Sequence, residues 1–268
     1  MRIDVDSITK IIEDTARQEV LPRFRKLKLG DVSEKAHGEV VTIADIETER
    51  VLRERLYAEL PGSRVVGEEA VSADPAVMDL LEGPEPVWVI DPIDGTSNFA
   101  SGKPVFAVMV ALVVAGRTEG AWIHDPIGAR SLTASRGEGA WMAGKRLTVR
   151  DADLPFRMSG TLHASQYALP DTAVKISRRR ERVQAIPSLR CAGQEYIRLA
   201  SAEMHFSLFT RLMPWDHAAG CLIQEEAGGV ALCFDGTPYA AHRHREKGLL
   251  IAPSKEAWLD LHQTLLAD

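Results

Sequence analysis

The pattern of apolar and polar positions predicts a chain in which helices pack on buried strands. In residues 1–150, it predicts helices at 4–26 and 42–60 and strands at 63–67, 87–90, 105–114 and 119–124. The helical segments carry apolar residues three or four positions apart, whereas the strand segments are short apolar runs. Glycines at 137, 139 and 144 indicate further hairpin turns. We therefore expect helices packed on a largely antiparallel sheet in this half.

The second half alternates more regularly between the two kinds of element. The pattern predicts helices at 170–183, 194–202, 215–227 and 254–266 and strands at 188–191, 230–234 and 248–251. No linker separates the halves cleanly. The prediction is therefore an α/β protein whose subdomains, 1–150 and 151–268, form one compact unit, with Asp216 from the second subdomain completing a site in the first.

The composition narrows the class of protein. The chain has 268 residues, 45% of them hydrophobic and 26% charged, as in an ordinary globular protein. Its net charge of −6 argues against a nucleic-acid partner. The longest apolar run, residues 105–115, is too short to span a membrane, and the first ten residues lack the apolar core of a signal peptide. These features predict a protein without a membrane association.

The three cysteines bear on the compartment. Cys191, Cys221 and Cys233 are odd in number, and their spacing matches no zinc motif. Reduced thiols in a cytoplasmic protein are the simplest interpretation.

The most informative stretch of the sequence is VWVIDPIDGTSNF, residues 87–99. An apolar strand ends there at Asp91 and Asp94, and two carboxylates three residues apart can converge on hard cations such as Mg²⁺. The Ile93 carbonyl, left without a strand partner, is a further candidate ligand. The alternative is an ordinary Asp–Gly turn.

The residues that follow the two aspartates suit a phosphate. Backbone N–H groups at Gly95, Thr96 and Ser97 would point at an anion if a helix starts there. The Thr96 hydroxyl is a candidate for positioning an attacking water.

Other acidic residues occupy similar places, each with an alternative. Glu68 follows a predicted strand, where a carboxylate faces either a ligand crevice or solvent. Asp45 lies in a Thr-x-x-Asp sequence that also reads as a capping box. Asp216 follows Trp215 at a helix start, where it would also stabilise the helix dipole.

Taken together, these motifs resemble the inositol monophosphatase family, within the lithium-sensitive magnesium phosphatases. The resemblance rests on VVTIAD at 40–45, GEE at 67–69, DPIDGTSNF at 91–99 and PWDHAAG at 214–220, in that order. It covers the chain from about residue 35 to its end.

The resemblance implies a layered fold, a ligand set and a mechanism. The fold would be the αβαβα sandwich of the sugar phosphatases, expected as a homodimer. Two or three Mg²⁺ ions would be held by Glu68, Asp91, the Ile93 carbonyl, Asp94 and Asp216. Thr96, hydrogen-bonded to Asp45, would help Glu68 and a metal to activate water, while Gly95 and Thr96 hold the phosphate.

The sequence departs from the family in the substrate pocket. Family members that act on inositol phosphates carry a glutamate six residues before the Trp-Asp pair, and Phe209 stands here instead. A pocket segment with small residues in the family reads Gly193, Gln194 and Glu195. Glu195 either recognises a substrate hydroxyl or is a solvated helix residue. Arg211 is a candidate for a second anionic group, with a surface arginine as the alternative, and Lys35 is the best candidate for the family's active-site lysine.

The sequence thus predicts a phosphoric monoester hydrolase acting on a small phosphorylated metabolite, like the inositol monophosphatases. Asp94, Gly95, Thr96, Ser97, Gly193, Gln194, Glu195, Phe209 and Asp216 are the expected substrate contacts. One alternative is a more anionic substrate, such as a nucleotide 3′-phosphate, fructose 1,6-bisphosphate or histidinol phosphate. Another is a non-catalytic role with RNA or transcription partners.

Overall fold

The computed structural model of the protein describes residues 4–35, 39–163, 168–246 and 248–267. The helices of these ranges are α1 (Val5–Thr15), α2 (Ile43–Glu59), α3 (Glu68–Ala73), α4 (Thr96–Ala100), α5 (Pro170–Arg179), α6 (Ala192–Ala200), α7 (Pro214–Glu226) and α8 (Lys255–Leu265). None of them is long and apolar enough to cross a membrane.

The strands form a small hairpin and two larger sheets. They are β1 (Val32–Glu34), β2 (Val40–Thr42), β3 (Arg64–Gly67), β4 (Val87–Asp94), β5 (Ala107–Val114), β6 (Arg117–Asp125), β7 (Arg130–Ser135), β8 (Gly139–Met142), β9 (Lys145–Arg146), β10 (Ser159–Leu162), β11 (Gln184–Ala185), β12 (Phe206–Phe209), β13 (Val230–Cys233) and β14 (Leu249–Ala252). The first large sheet runs β3-β4-β5-β6-β7-β8-β9 and is antiparallel except for the β3–β4 pair. The second runs β11-β10-β12-β14-β13.

The first sheet is covered on both faces, which explains its continuous apolar strands. Along β4, Trp88 and Ile90 pack with α1 and α2, while Val87 and Val89 face the opposite side, where α6 and α7 lie. A strand buried on both faces cannot show the apolar–polar alternation of a half-exposed strand. Leu52 of α2 is fully buried in this packing. Burying a side chain of this kind stabilises the folded state by about 1.5–3 kcal/mol.

The second sheet shares the α6–α7 layer with the first. Phe209 and Ile251 pack on these helices, while Phe206 and Leu250 face α8 on the other side. The layers are therefore α1/α2, first sheet, α6/α7, second sheet, and α5/α8. The expected αβαβα sandwich is confirmed.

Several element boundaries differ from those that the sequence predicts. The α-helix expected over 4–26 ends at Thr15, and the chain then forms a π-helical turn over Ala16–Val20. Strands β1, β2, β10 and β12 were not predicted. Residues 188–191 are not a strand, because the Ser188 hydroxyl and the Leu189 N–H donate to Glu195 instead of to a neighbouring strand.

Strand β4 also continues past the proline where the sequence predicts its end. Pro92 lies where the register between β4 and β5 shifts, between Asp91 and Asp94. In such a bulge the ladder does not need the N–H that proline lacks.

Asn98 links two loop segments beside this bulge. Its side-chain amide donates to the carbonyl oxygens of Val105 at 2.9 Å and Leu189 at 3.0 Å. Asn98 is 5% exposed, so water cannot readily replace its amide as the donor to these carbonyls.

We predict that Asn98→Ala lowers the free energy of unfolding by about 1–3 kcal/mol, since it leaves buried carbonyls without a donor. Urea unfolding followed by circular dichroism measures the change. The control is Ser101→Ala, which removes an exposed hydroxyl bonded within the same short helix and is expected to cost under ~0.5 kcal/mol. Equal effects of the two substitutions would contradict the role assigned to Asn98.

Candidate active site

Four of the acidic side chains singled out in the sequence line one cleft. The cleft has a volume of about 300 Å³, and Glu68, Asp91, Asp94 and Asp216 lie on its wall. Glu68 begins α3 after β3, the two central aspartates end β4, and Asp216 lies in the first turn of α7. Residues nearly 150 positions apart therefore meet where these elements end.

The bulge in β4 exposes the Ile93 carbonyl to a different partner. Ile93 has no opposite residue on β5, and its carbonyl oxygen accepts the Thr96 hydroxyl at 2.9 Å. The expectation that this carbonyl lacks a strand partner is therefore confirmed, and the same atom remains the candidate metal ligand.

Asp45 serves both functions that the sequence left open. Its Oδ2 accepts the Thr42 N–H at 2.8 Å and the Thr42 hydroxyl at 2.6 Å, completing the capping box of α2. Its Oδ1 lies 3.0 Å from the Thr96 Oγ1. Burial raises the pKa of Asp45 to about 6, although the hydrogen bonds from Thr42 and Thr96 oppose the shift.

Gly95 and Ser97 also lie on the wall of the cleft, next to Thr96. Gly95 has a φ of +89°, and a Cβ there would approach the Val105 carbonyl oxygen to 3.0 Å and the Cys191 Cβ to 3.2 Å. Glycine is therefore required both by the left-handed backbone and by the close approach of Val105 and Cys191. The first-turn N–H groups of α4 have no partner within that helix, which suits an anion.

A lysine binds Glu68 and its neighbour Glu69. The Lys35 Nζ lies 2.9 Å from the Glu68 Oε1 and 2.6 Å from the Glu69 Oε1. Burial works against the charged lysine, but the two glutamates outweigh it and raise the pKa of Lys35. Lys35 is thus placed at the site, as the sequence predicted.

Glu49 is a supporting residue that the sequence did not reveal. Its carboxylate accepts the backbone N–H groups of Glu69 at 2.7 Å and Ala70 at 2.9 Å, so it caps the start of α3. Burial raises its pKa. Within α2, Glu49 looks like one of many surface glutamates, and only the approach of β3 and α3 buries it.

Asp94 connects the cleft to α6. Its Oδ2 accepts the Gly193 N–H at 2.5 Å and the Cys191 thiol at 3.0 Å. A Cβ at Gly193 would approach the Ala107 Cβ to 2.8 Å, so glycine permits this contact. Asp94 therefore positions the start of α6 as well as lining the cleft.

The central acids raise one another's pKa. Burial is the main cause for Asp91, and the charges of Glu68 and Asp94 add to it. Asp216 shows the same pattern, with burial first and Asp94 next. For Asp94, burial raises the pKa, while the donors at the start of α6 partly oppose it. The cluster therefore destabilises the folded state as long as all its members are ionised.

This donor set fits a hard divalent cation. The Asp91 Oδ1 is buried and has no hydrogen-bond partner in the described ranges. A buried, unpartnered carboxylate oxygen among other carboxylates is the chemistry that Mg²⁺ neutralises. No three His, Cys, Asp or Glu side chains in those same ranges converge as a ready-made metal centre. Metal binding would have to draw the carboxylates together.

A smaller cavity of about 190 Å³ adjoins the acidic cleft. Asp94, Arg190, Arg211 and Asp216 line both spaces, whereas His163, Phe209, Thr210 and His217 line the smaller one only. The Arg211 Nη1 is 2.5 Å from the Glu39 Oε1, and the Arg211 side chain is 36% exposed, so a surface arginine and a contact to a second anionic group both stay open.

Phe209 contributes little open surface to this cavity. The ring is 4% exposed and stacks on His163 at 4.7 Å and on Tyr196 at 5.8 Å between centroids. A base of a nucleotide would find little of the ring to stack on.

The segment expected to line the substrate pocket lies elsewhere. Gly193, Gln194 and Glu195 are on the wall of neither cavity, and Cys191 and Ala192 line the smaller one instead. The Gln194 side chain donates to the Phe106 carbonyl oxygen at 3.0 Å.

Glu195 is fully buried, so the alternative of a solvated helix residue is wrong. Its Oε2 lies 2.7 Å from the His163 Nε2 and accepts the Thr161 hydroxyl at 2.6 Å. Burial works to raise the pKa of Glu195, but His163, Thr161 and the Leu189 N–H lower it below its usual range.

Comparison with solved structures supports the class that the fold and cleft define. The chain superposes on an IMPase of Thermotoga maritima with a TM-score of 0.81 and 25% identity, covering 97% of this chain and 96% of the other. An extragenic suppressor protein suhB of Bartonella henselae gives a TM-score of 0.79 and 25% identity, over 98% and 96%. The chain thus has the layered α/β fold of the IMPase-like proteins.

The sequence comparison then gives the family. The profile of the inositol monophosphatase family matches residues 4–267, and the chain belongs to that family. A Nus factor SuhB of Pseudomonas aeruginosa is 31% identical over 259 residues, 94% of this chain and 92% of the relative. A fructose-1,6-bisphosphatase/inositol-1-monophosphatase of Thermotoga maritima is 31% identical over 74% of this chain and 73% of the relative.

We predict that Asp91→Asn stabilises the metal-free protein. The folded-state pKa of Asp91 lies above its ordinary value, so ionisation of Asp91 destabilises the fold as the pH rises through that ordinary value. At neutral pH the substitution should therefore add about 1–3 kcal/mol to the free energy of unfolding. It should also remove the stabilisation by Mg²⁺ that we expect for the unsubstituted protein.

Thermal unfolding with EDTA and with Mg²⁺ measures both effects. The control Asp79→Asn changes an exposed acid and should alter neither. Destabilisation of the metal-free protein by Asp91→Asn would contradict the assignment of a strained acidic cluster.

Proposed function

We propose that this protein is a Mg²⁺-dependent phosphatase that hydrolyses a small phosphomonoester. The observation that carries the proposal is the buried Asp91 carboxylate, unpartnered at Oδ1 within the described chain, among Glu68, Asp94 and Asp216. Membership of the inositol monophosphatase family supports it, and the family is generally Mg²⁺-dependent.

The metal site would use the acids of the cleft. Glu68, Asp91, Asp94, Asp216 and the Ile93 carbonyl would hold two or three Mg²⁺ ions. When bound, Mg²⁺ lowers the pKa of water and neutralises charge on the phosphoryl oxygens. No protein nucleophile is required, because positioning and charge neutralisation supply most of the catalysis in phosphoryl transfer.

The chain's own residues would position the water and the phosphate. The Thr96 hydroxyl stands between the Asp45 carboxylate and the Ile93 carbonyl, so its oxygen is fixed in direction. The Thr96 oxygen would accept a proton from the attacking water, and Thr96 would pass its own proton to Asp45. Glu68 lines the same cleft. The N–H groups of Gly95, Thr96 and Ser97 would bind the phosphoryl oxygens as the P–O bond to the leaving group breaks.

We predict that Asp94→Asn lowers Mg²⁺-dependent phosphate release by at least ~100-fold, because the amide removes one negative charge from the metal ligands. The substrates are inositol 1-phosphate, fructose 1,6-bisphosphate, adenosine 3′,5′-bisphosphate and histidinol phosphate. The control is Asp260→Asn, an exposed acid of α8, which should retain full activity. Undiminished turnover in Asp94→Asn would disprove the metal assignment.

A second prediction tests the Thr96 hydroxyl. Thr96→Val is expected to lower kcat by about 10²–10⁴-fold, the range for loss of a positioned proton-transfer group. Thr96→Ser, which keeps the hydroxyl, should stay within ~10-fold of the unsubstituted protein. Steady-state kinetics at saturating Mg²⁺ separate the two variants, and equal activities would exclude Thr96 from the proton path.

A non-catalytic role is the second candidate function, because relatives at 31% identity carry the name Nus factor. The net charge of the chain led us to expect no nucleic-acid partner. Because these relatives are named Nus factors, that expectation is not supported. Fluorescence anisotropy with labelled RNA tests this candidate. Tight binding that survives Asp94→Asn would favour a role independent of hydrolysis, whereas the absence of binding would count against it.

A further inference from the structure

One face of α2 supports two separate parts of the acidic cleft. Asp45 and Glu49 lie four positions apart, so they occupy the same side of the helix. Asp45 accepts the Thr96 hydroxyl at 3.0 Å, and Glu49 reaches the start of α3, where Glu68 lies. The proposed mechanism uses the first of these contacts and leaves the second without a function.

Glu49 supplies the cap that α3 lacks within its own sequence. The N-cap residue is Gly67, which has no side chain to accept a hydrogen bond. The Glu49 carboxylate instead accepts the N–H groups of Glu69 at 2.7 Å and Ala70 at 2.9 Å. These are the second and third residues of the helix, the positions that a side-chain cap normally serves.

The backbone at Gly67 makes room for this carboxylate. Gly67 has a φ of −107° and a ψ of 155°, a conformation open to any residue. A Cβ there, however, would approach the Glu49 Oε1 to 2.5 Å and the Oε2 more closely still. An alanine at this position would therefore displace the Glu49 carboxylate without straining the backbone.

The cap matters because little else holds α3. The helix has six residues, and Val71 is the only one of them that is buried. Helices this short do not persist by themselves in water. Glu49, by contrast, is 2% exposed on the 17-residue helix α2, so it is a firm support. Glu68, the first residue of α3, therefore takes its backbone position from Glu49 and its side-chain direction from Lys35.

We propose that Glu49 is a positioning residue that sets the affinity of the cleft for Mg²⁺ by holding Glu68 in place. This inference rests on the proposed function, in which Glu68 is a metal ligand. Glu49 is on the wall of neither cavity, so it acts through the first turn of α3 and not by touching the metal. A ligand that is already ordered need not lose freedom when the metal binds, which favours binding.

Two substitutions remove the cap in different ways. Glu49→Gln removes the negative charge and sets an amide N–H₂ against a backbone N–H, because glutamine offers only one acceptor oxygen. Gly67→Ala keeps the charge but pushes the carboxylate away. Each should weaken Mg²⁺ binding to the folded protein by ~10-fold or more, as the loss of a supporting contact at a metal site does. Isothermal titration calorimetry measures the dissociation constant.

Amide hydrogen exchange of the metal-free protein gives a second readout. In both variants, the N–H groups of Glu69 and Ala70 should exchange at least ~10-fold faster, while the exchange of β4 stays the same. The control Glu54→Gln makes the matching change at an exposed position of α2, where Glu54 pairs with Arg50, and it should alter neither measurement. If circular dichroism shows that Glu49→Gln does not fold, Glu49→Asp takes its place, because the shorter side chain cannot reach both N–H groups.

Unchanged Mg²⁺ affinity in both variants would overturn this inference and leave the proposed function standing. Weaker binding in only one of them would also overturn it, because the lost charge or the added methyl group alone would then explain the effect. If the unsubstituted protein binds no Mg²⁺, the inference and the proposed function both fail. Weaker binding in both variants, with faster exchange at the start of α3, would support the inference.

Discussion

The burial of several carboxylates in one cleft is the constraint on which the rest of the site depends. Asp91 lies 2% exposed beside Glu68, Asp94 and Asp216, and both burial and the neighbouring negative charges act against ionisation of Asp91 and Asp216. A fold tolerates such a cluster only when the surrounding packing holds it in place. Here the two covered faces of the first sheet supply that packing, since β4 is buried along its whole length. A bound cation would relieve this strain.

The site also joins the first sheet to the layer of α6 and α7. Asp94 belongs to β4, yet its carboxylate accepts donors from the start of α6, about a hundred residues away. Asn98 makes a comparable connection to the Leu189 carbonyl, and Asp216 approaches from α7. A change in the packing of α6 and α7 would thus move the acidic side chains of the cleft.

The contrast between two histidines shows how the surroundings decide the role of a side chain. His217 lies next to Asp216, but both its ring nitrogens are occupied, by the Tyr196 hydroxyl and the Arg211 carbonyl, and burial lowers its pKa to about 4. It is a neutral, structural residue. His163 instead has a carboxylate partner, Glu195, and a partly exposed side chain that lines the smaller cavity.

The sequence alone indicated helices packed on buried strands and the candidate acids at the ends of apolar runs, because continuous apolar runs, a proline between two aspartates and a capping box are short-range features. The layered sandwich and the link between Asp45 and Thr96 were expected only from the resemblance of the motifs to a known family. The tertiary structure alone decided that Glu49 caps α3, that residues 193–195 leave the pocket wall, and that Glu195 is buried against His163. Each of these depends on contacts between residues from about 20 to over 80 positions apart. No local pattern encodes such contacts, because burial and charge pairing arise only when distant elements pack together.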